Sequence, residues 1–356
     1  MVDPKTGVRS GMVRTVLGPI PVESIGVTLM HEHILLDASS WWKRPCCASD
    51  IALAERPLDI SMIGELRMNP FLNRDNCGLF DVKAAIEELK CFVEYGGRTV
   101  VDATNVGIGR DPSALQRISR RTGLNIVMGA GFYLEASHPE YVKQMSVEAI
   151  AEAIAADCGV SEDEPEVCAG IIGEIGVSKD FTPAEEKVLR GAARASKISG
   201  APLTVHLPGW ERLAHRVLDV VESEGADLRH TVLCHMNPSL HDHKYQRSLA
   251  DRGAFIEYDM IGMDYFYADQ QAQSPCDEEN AVAICQLVED GYVNSVLMSQ
   301  DVFLKMMLTR YGGFGYGYIL KHFVPRLKRH GMNPSTIDHI LVENPRRVFS
   351  AAHRAL

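Results

Sequence analysis

The sequence has no basic surplus, no long apolar run and no cysteine framework, and each absence removes a class of function. Lysine and arginine number 36 against 47 aspartate and glutamate, a formal net charge of −11. A nucleic-acid or anionic-membrane partner would need the opposite balance. No stretch approaches the roughly 18 apolar residues of a membrane-spanning helix. The opening Met1-Val2-Asp3-Pro4-Lys5-Thr6-Gly7 also lacks the apolar core of a secretory signal. The nine cysteines are scattered, with one adjacent pair, Cys46-Cys47, and no C-x-x-C spacing. They read as reduced thiols, and together these absences predict a cytoplasmic protein.

What is present suits a soluble enzyme: 46% apolar and 23% charged residues, 29 glycines and 17 prolines. At 356 residues the chain exceeds the usual roughly 100–200 per domain, but α/β barrels run to about 250 or more as one unit. A single domain over residues 1–356 is therefore expected. Residues 11–24 read as a small N-terminal hairpin leading into the first strand. Residues 38–80 carry Trp41, Trp42, Pro45 and Pro70 without clear periodicity, and their aromatics favour an ordered loop folded over a site.

From Asp81 onward, helices and strands alternate. Helical patterns span 83–95, 114–122, 147–158, 183–199, 210–224, 244–252 and 279–290, and short apolar strands span 99–102, 125–128, 169–174, 202–206, 231–235, 254–259 and 295–301. With the strand before the long loop, that makes eight. Alternating β and α with strands buried on both faces implies a parallel sheet. Eight such units imply a closed (β/α)8 TIM barrel, with its chemistry at the C-terminal ends of the strands.

The first strand, Val27-Thr28-Leu29-Met30-His31-Glu32-His33, ends in two histidines one residue apart. Alternate strand residues share a face, so His31 and His33 project together, and two imidazoles so placed can chelate a metal ion. Glu174 ends strand four, His206 strand five, His235 strand six and Asp301 strand eight. Four histidines and two carboxylates converging on one mouth form a metal-ligand set, whereas packing alone would scatter them. His215, His230, His322, His330, His339 and His353 fall on helices or in loops and read as solvated imidazoles.

Over roughly Gly11 to Arg347 the chain resembles the phosphotriesterase-like branch of the amidohydrolase superfamily, nearest its homology-protein and phosphotriesterase-related members. The resemblance rests on Leu29-Met30-His31-Glu32-His33-Ile34-Leu35-Leu36-Asp37, on the segment from Asp102 to Asp111, on His206 paired with His235, on Ser299-Gln300-Asp301 and on Glu343-Asn344-Pro345. It implies two divalent ions, usually zinc with manganese or cobalt as alternatives, bridged by a hydroxide. His31, His33 and Asp301 would hold the more buried ion, and His206 and His235 the more exposed one. Glu174 would bridge them where many members carry a carboxylated lysine. Asp301 would also act as the base.

The triesterase members have an acidic residue soon after the strand-six histidine; here the sequence reads Met236-Asn237-Pro238, with Asp242 only later. Tyr133, at the end of strand three, stands where lactone-hydrolysing relatives also have a tyrosine. The expectation is therefore hydrolysis of a lactone or other carboxylic ester, an anionic sugar lactone among the candidates. The alternative is an N-acyl amide such as an acyl amino acid or acyl amino sulfonate, with weak phosphotriesterase side activity. A non-catalytic ligand-binding barrel is the remote alternative. Substrate contacts are expected from Tyr133, Lys244, Met260, Tyr265, Lys305 and Arg310, with Lys43 and Arg44 completing a cationic subsite and His241 and His243 at its edge. A homodimer is the expected assembly.

Overall fold

The computed structural model describes residues 11–160 and 165–350; the N-terminal stretch read for targeting and His353 lie outside them. Eight strands form one parallel sheet: β1 (Thr28–Glu32), β2 (Thr99–Asp102), β3 (Asn125–Ala130), β4 (Ile171–Gly176), β5 (Leu203–His206), β6 (Thr231–Leu233), β7 (Phe255–Tyr258) and β8 (Val296–Met298). They pair in sequence order from β1 to β8. The seam between β8 and β1 is closed by loop bonds: Asp301 N–H donates to the His31 carbonyl (3.1 Å), and His31 N–H to Ser299 Oγ (3.0 Å). The result is a (β/α)8 barrel with helices outside.

The helices between strands are α1 (Val82–Glu94), α2 (Pro112–Thr122), α3 (Val147–Asp157), α4 (Pro183–Ser199), α5 (Ala214–Ser223), α6 (His243–Asp251) and α7 (Asp277–Glu289). Their starts and stops are written in the sequence. Asp81, Asp111, Ser146, Thr182 and Asp242 cap N-termini with side-chain oxygens, satisfying backbone N–H groups that the first turn leaves unpaired. Glu279 folds back onto the Cys276 N–H (2.9 Å), so α7 begins at Asp277, earlier than its periodicity suggested. α5 begins later than expected, because residues 207–213 form turns and coil before the helix starts at Ala214. Among the described residues, no helix is long and apolar enough to cross a membrane.

Two apolar layers hold the barrel. One lies between strands and helices. The other is a floor of Met30, Val101, Val127, Ile171, Val232, Phe255 and Leu297, sealed by Val13 and Ile25 from the N-terminal side and by Val348 and Phe349 from the C-terminal side. Val13 belongs to a hairpin of Met12–Thr15 and Gly18–Pro21. Met30 in the floor conflicts with simple alternation, which would then turn His31 and His33 outward. The pairing of β1 with β2 resolves this: its register shifts between Leu29 and Glu32. An extra residue of this kind re-aims the side chains that follow it. A second shift lies between Ile172 and Ile175 on β4, at the position of Glu174.

The segment after β1 is ordered, with short helices Ala48–Ala54 and Ile63–Met68. It is tied across the mouth to the loop after β8 by Lys305 Nζ with Asp75 (2.5 Å) and by the Met306 N–H to Asn76 Oδ1 (2.8 Å).

Candidate metal centre

At the C-terminal end of the barrel six side chains from five strands or their exits converge around Glu174. Its Oε1 lies 3.3 Å from His33 Nε2. Its Oε2 lies 3.5 Å from His31 Nε2, 3.2 Å from His206 Nδ1 and 3.4 Å from His235 Nε2. Asp301 Oδ1 is 3.4 Å from His33 Nε2 and 3.7 Å from His31 Nε2. Around a tetrahedral ion with bonds of about 2.0–2.1 Å, ligand atoms stand about 3.4 Å apart, which matches these spacings. His235 and Asp301 lie just beyond their strands with left-handed backbone, φ 57° and 46°, a conformation that non-glycine residues adopt at a cost and that gathers at functional sites.

The donor atoms are prepared to take a cation. The Thr104 hydroxyl donates to the Leu35 carbonyl (3.1 Å), so at His33 Nδ1 (2.8 Å) it must accept. One proton is thereby fixed on Nδ1, and Nε2 is the nitrogen that faces Glu174 and Asp301 and would take a metal in place of a proton. Asp259 accepts from His235 Nδ1–H (3.1 Å) and from the His235 backbone N–H, which turns Nε2 toward His206 Nδ1 (2.7 Å) and Glu174. Fully buried His31 Nε2 and Asp301 Oδ1 have no hydrogen-bond partner. Buried polar atoms left unpaired are costly, and a cation would satisfy both. The residues present therefore fit a metal centre.

The electrostatics agree. Burial alone would raise the Glu174 pKa, yet the charge of His31 and hydrogen bonds from His206 and His235 hold it well below the carboxylate range. Burial would lower the histidines, but Asp301 and Glu174 push His33 up to about 9, and Asp259 pushes His235 up to about 10. Protons on these rings balance the same negative charge that a metal would.

Beneath the cluster, His31 Nδ1, Cys234, Glu257 and Asp259 bring one donor each within 4.8 Å of one another. Glu257 and Asp259 lie 3.6 and 3.5 Å from His31 Nδ1. Of these, the sequence assigns a role to His31 alone; Cys234, Glu257 and Asp259 were passed over, as was Thr104. Glu257 and Asp259 alternate along an apolar strand and face inward with Phe255, and buried carboxylates at that spacing were the available signal.

Tyr133 is buried, and its hydroxyl lies 3.2 Å from His206 Nδ1. Burial and the nearby Glu174 charge raise its pKa well above the phenol range, so it keeps its proton. The other nominated contacts are dispersed. Met260 and Tyr265 are buried in the loop after β7. Lys305 holds Asp75, Arg310 faces Asp81 at 3.8 Å, Arg44 holds Glu55 at 3.1 Å, and Lys244 is exposed on α6. His241 is exposed beside Glu279. Trp41, from the long loop, lies over the cluster with its ring 6.4 Å from His206.

The phosphotriesterase family model matches residues 11–349. The chain belongs to the phosphotriesterase family. It is a hydrolase of that binuclear-metal-dependent family. It is 35% identical to an N-acetyltaurine hydrolase of Tetraodon nigroviridis over 95% of this chain and 97% of the relative. Among solved structures, a resiniferatoxin-binding protein of Rhodobacter sphaeroides matches with TM-score 0.94 and 56% identity, covering 98% of each chain. A lactonase of Listeria monocytogenes matches with TM-score 0.77 and 26% identity, over 96% of this chain and 99% of the other.

Proposed function

We propose that the chain hydrolyses a carboxylic acyl bond, that of a lactone or other ester first and of an N-acyl amide second, using two divalent ions, most naturally zinc. The observation that carries this is the convergence of imidazole nitrogens and carboxylate oxygens on Glu174. His31, His33 and Asp301 would hold the inner ion, His206 and His235 the outer one, and Glu174 both. Bound there, the pair of ions would supply a water acidic enough to attack at neutral pH and would polarise the scissile carbonyl.

The side chains divide the remaining work. Asp301, whose Oδ1 is unpartnered, takes the proton from the attacking water and passes it to the leaving oxygen or nitrogen. Tyr133 holds its proton on the His206 side of the cluster and donates a hydrogen bond to the carbonyl oxygen as charge develops there. An efficient phosphotriester route lacks its relay. Asn237 is buried, bonded to Asn280 and to the Met260 N–H, while Asp242 caps α6 and faces Arg212 at 3.5 Å.

The amide reading is favoured by the N-acetyltaurine hydrolases, which match nearly the whole chain. The Rhodobacter protein is named for binding, yet a barrel that only bound ligand would have no need of six converged metal donors. Location in the cytoplasm and a two-fold dimer complete the proposal. The test is elemental analysis of protein purified without added metal, with a hydrolysis panel of lactones, N-acyl amino acids and sulfonates, and aryl phosphotriesters. About two ions per chain are expected, with turnover of esters or amides abolished in Glu174→Ala and Asp301→Ala. Protein that takes up no metal on reconstitution would overturn the mechanism.

A further inference from the structure

An arc of aromatic rings stands over the outer side of the ligand cluster, and the hydrolytic reading gives it no task. Trp41 stacks on Phe71, with centroids 5.3 Å apart and planes 11° apart. Phe71 lies 6.2 Å from Tyr267, which lies 5.3 Å from Trp210. At the other end, the Trp41 ring is 6.5 Å from Tyr133 and 6.4 Å from His206. The loops after β1, β5 and β7 contribute these rings, which converge where a substrate would enter. Phe71 and Tyr267 are buried, whereas Trp41 and Trp210 are only half buried and so not sealed in the core.

The charges nearby point the same way. An anionic group drawn out of water needs a cation buried with it, but the cations of the loops are committed to partners or, like Lys43 and Arg67, exposed. Lys305 is held by Asp75, Arg310 faces Asp81, Arg44 is on Glu55, and the Arg74 guanidinium lies over the Trp42 ring at 5.6 Å. Flat apolar groups gain from stacked and edge-on aromatic contacts; a sulfonate or carboxylate gains nothing from them.

We infer that the cleft rimmed by Trp41, Phe71, Trp210 and Tyr267 receives a planar apolar group, an aryl ring or its like, carried beside the scissile bond in place of an anionic one. The inference rests on the reading of the Glu174 cluster as the reacting centre. It names a substrate class different from the amino sulfonate of the hydrolases that the chain matches at 35% identity or less.

Fluorescence tests it, because two of the three tryptophans, Trp41 and Trp210, line the arc. Metal-loaded protein is titrated with 3-phenylpropionamide, propionamide and propane-1-sulfonate, and kcat/KM is compared for phenethyl and methyl acetate. The aryl amide is expected to bind about tenfold or more tighter than either other probe. Phe71→Ala and Trp41→Ala should bring that preference within about threefold, while Trp41→Phe keeps most of it. If an alanine variant does not fold, Phe71→Leu is read in its place, with at least half of the preference lost. Propane-1-sulfonate binding as tightly as the aryl amide, or folded variants retaining the full preference, would overturn the inference. Aryl binding without turnover of any ester or amide would overturn the hydrolytic reading and leave the aryl cleft standing.

Discussion

His235 is held from two sides, by Asp259 at Nδ1 and at its backbone N–H, and the same carboxylate stands 3.5 Å from His31 Nδ1. One buried side chain thus orients His235 and sets its charge beside His31. Asp259→Asn removes the charge that steadies both rings, and metal affinity should fall about 10- to 100-fold, measured by competition with a chromogenic chelator. Unchanged affinity would assign Asp259 to packing alone. Tyr133→Phe separates a different role: metal content should stay at the wild-type level while kcat falls about 100-fold, as on loss of one donor to a developing oxyanion. A fall in metal content instead would make the phenol a prop for His206. The six proposed ligands were legible because each is a polar residue ending an apolar strand. Thr104 was not, since it lies beyond its strand where nothing local marks it; Glu257 and Asp259 are marked by their alternation along an apolar strand, but that spacing does not say that they meet His31 and His235.

Among the elements, the loop after β8 does more than carry Asp301. Glu32, between the two histidines of β1, is completely buried and accepts from the Ser299 hydroxyl (2.8 Å), the Gln300 N–H (2.9 Å) and the Val302 N–H (2.8 Å). It closes the barrel at its only unpaired seam among the described strands and sets the turn on which Asp301 rides. Glu32→Ala leaves three buried donors without an acceptor, at a cost of about 3–5 kcal/mol. Denaturant unfolding should show that loss, and Glu32→Gln, which keeps one acceptor, should show about half of it. A loss below about 1 kcal/mol for the alanine variant would mean that the seam is held elsewhere. The sequence showed His-Glu-His as a ligand pair with an unassigned acid between, because alternation places Glu32 on the opposite face and says nothing of which strand meets it. The long loop was legible by its aromatics but not by its docking, which depends on Asp75 and Asn76 reaching Lys305 and Met306, contacts about 230 residues apart in the chain.

At the scale of the whole molecule, the barrel could be read from eight repeats of strand and helix, since a parallel sheet closed by helices is the arrangement that buries such strands on both faces. What repetition does not reveal is that the barrel interior changes character with height. Its floor is apolar, whereas its upper layer holds Glu174, Glu257, Asp259 and Asp301 beside His31, His33, His206 and His235, all at least seven-eighths buried. Four carboxylates in one layer oppose folding unless cations or protons accompany them. Metal bound at about 1,000 times its dissociation constant adds about 4 kcal/mol for one site, which for a chain of this length is about 5 °C in Tm. Chelation should therefore lower Tm by at least that amount in calorimetry, reversibly on adding zinc, and Glu174→Ala protein should show little of the shift. A Tm indifferent to chelator would mean that the upper layer is balanced by protons alone, and the six donors would then be a polar core with no metal to hold.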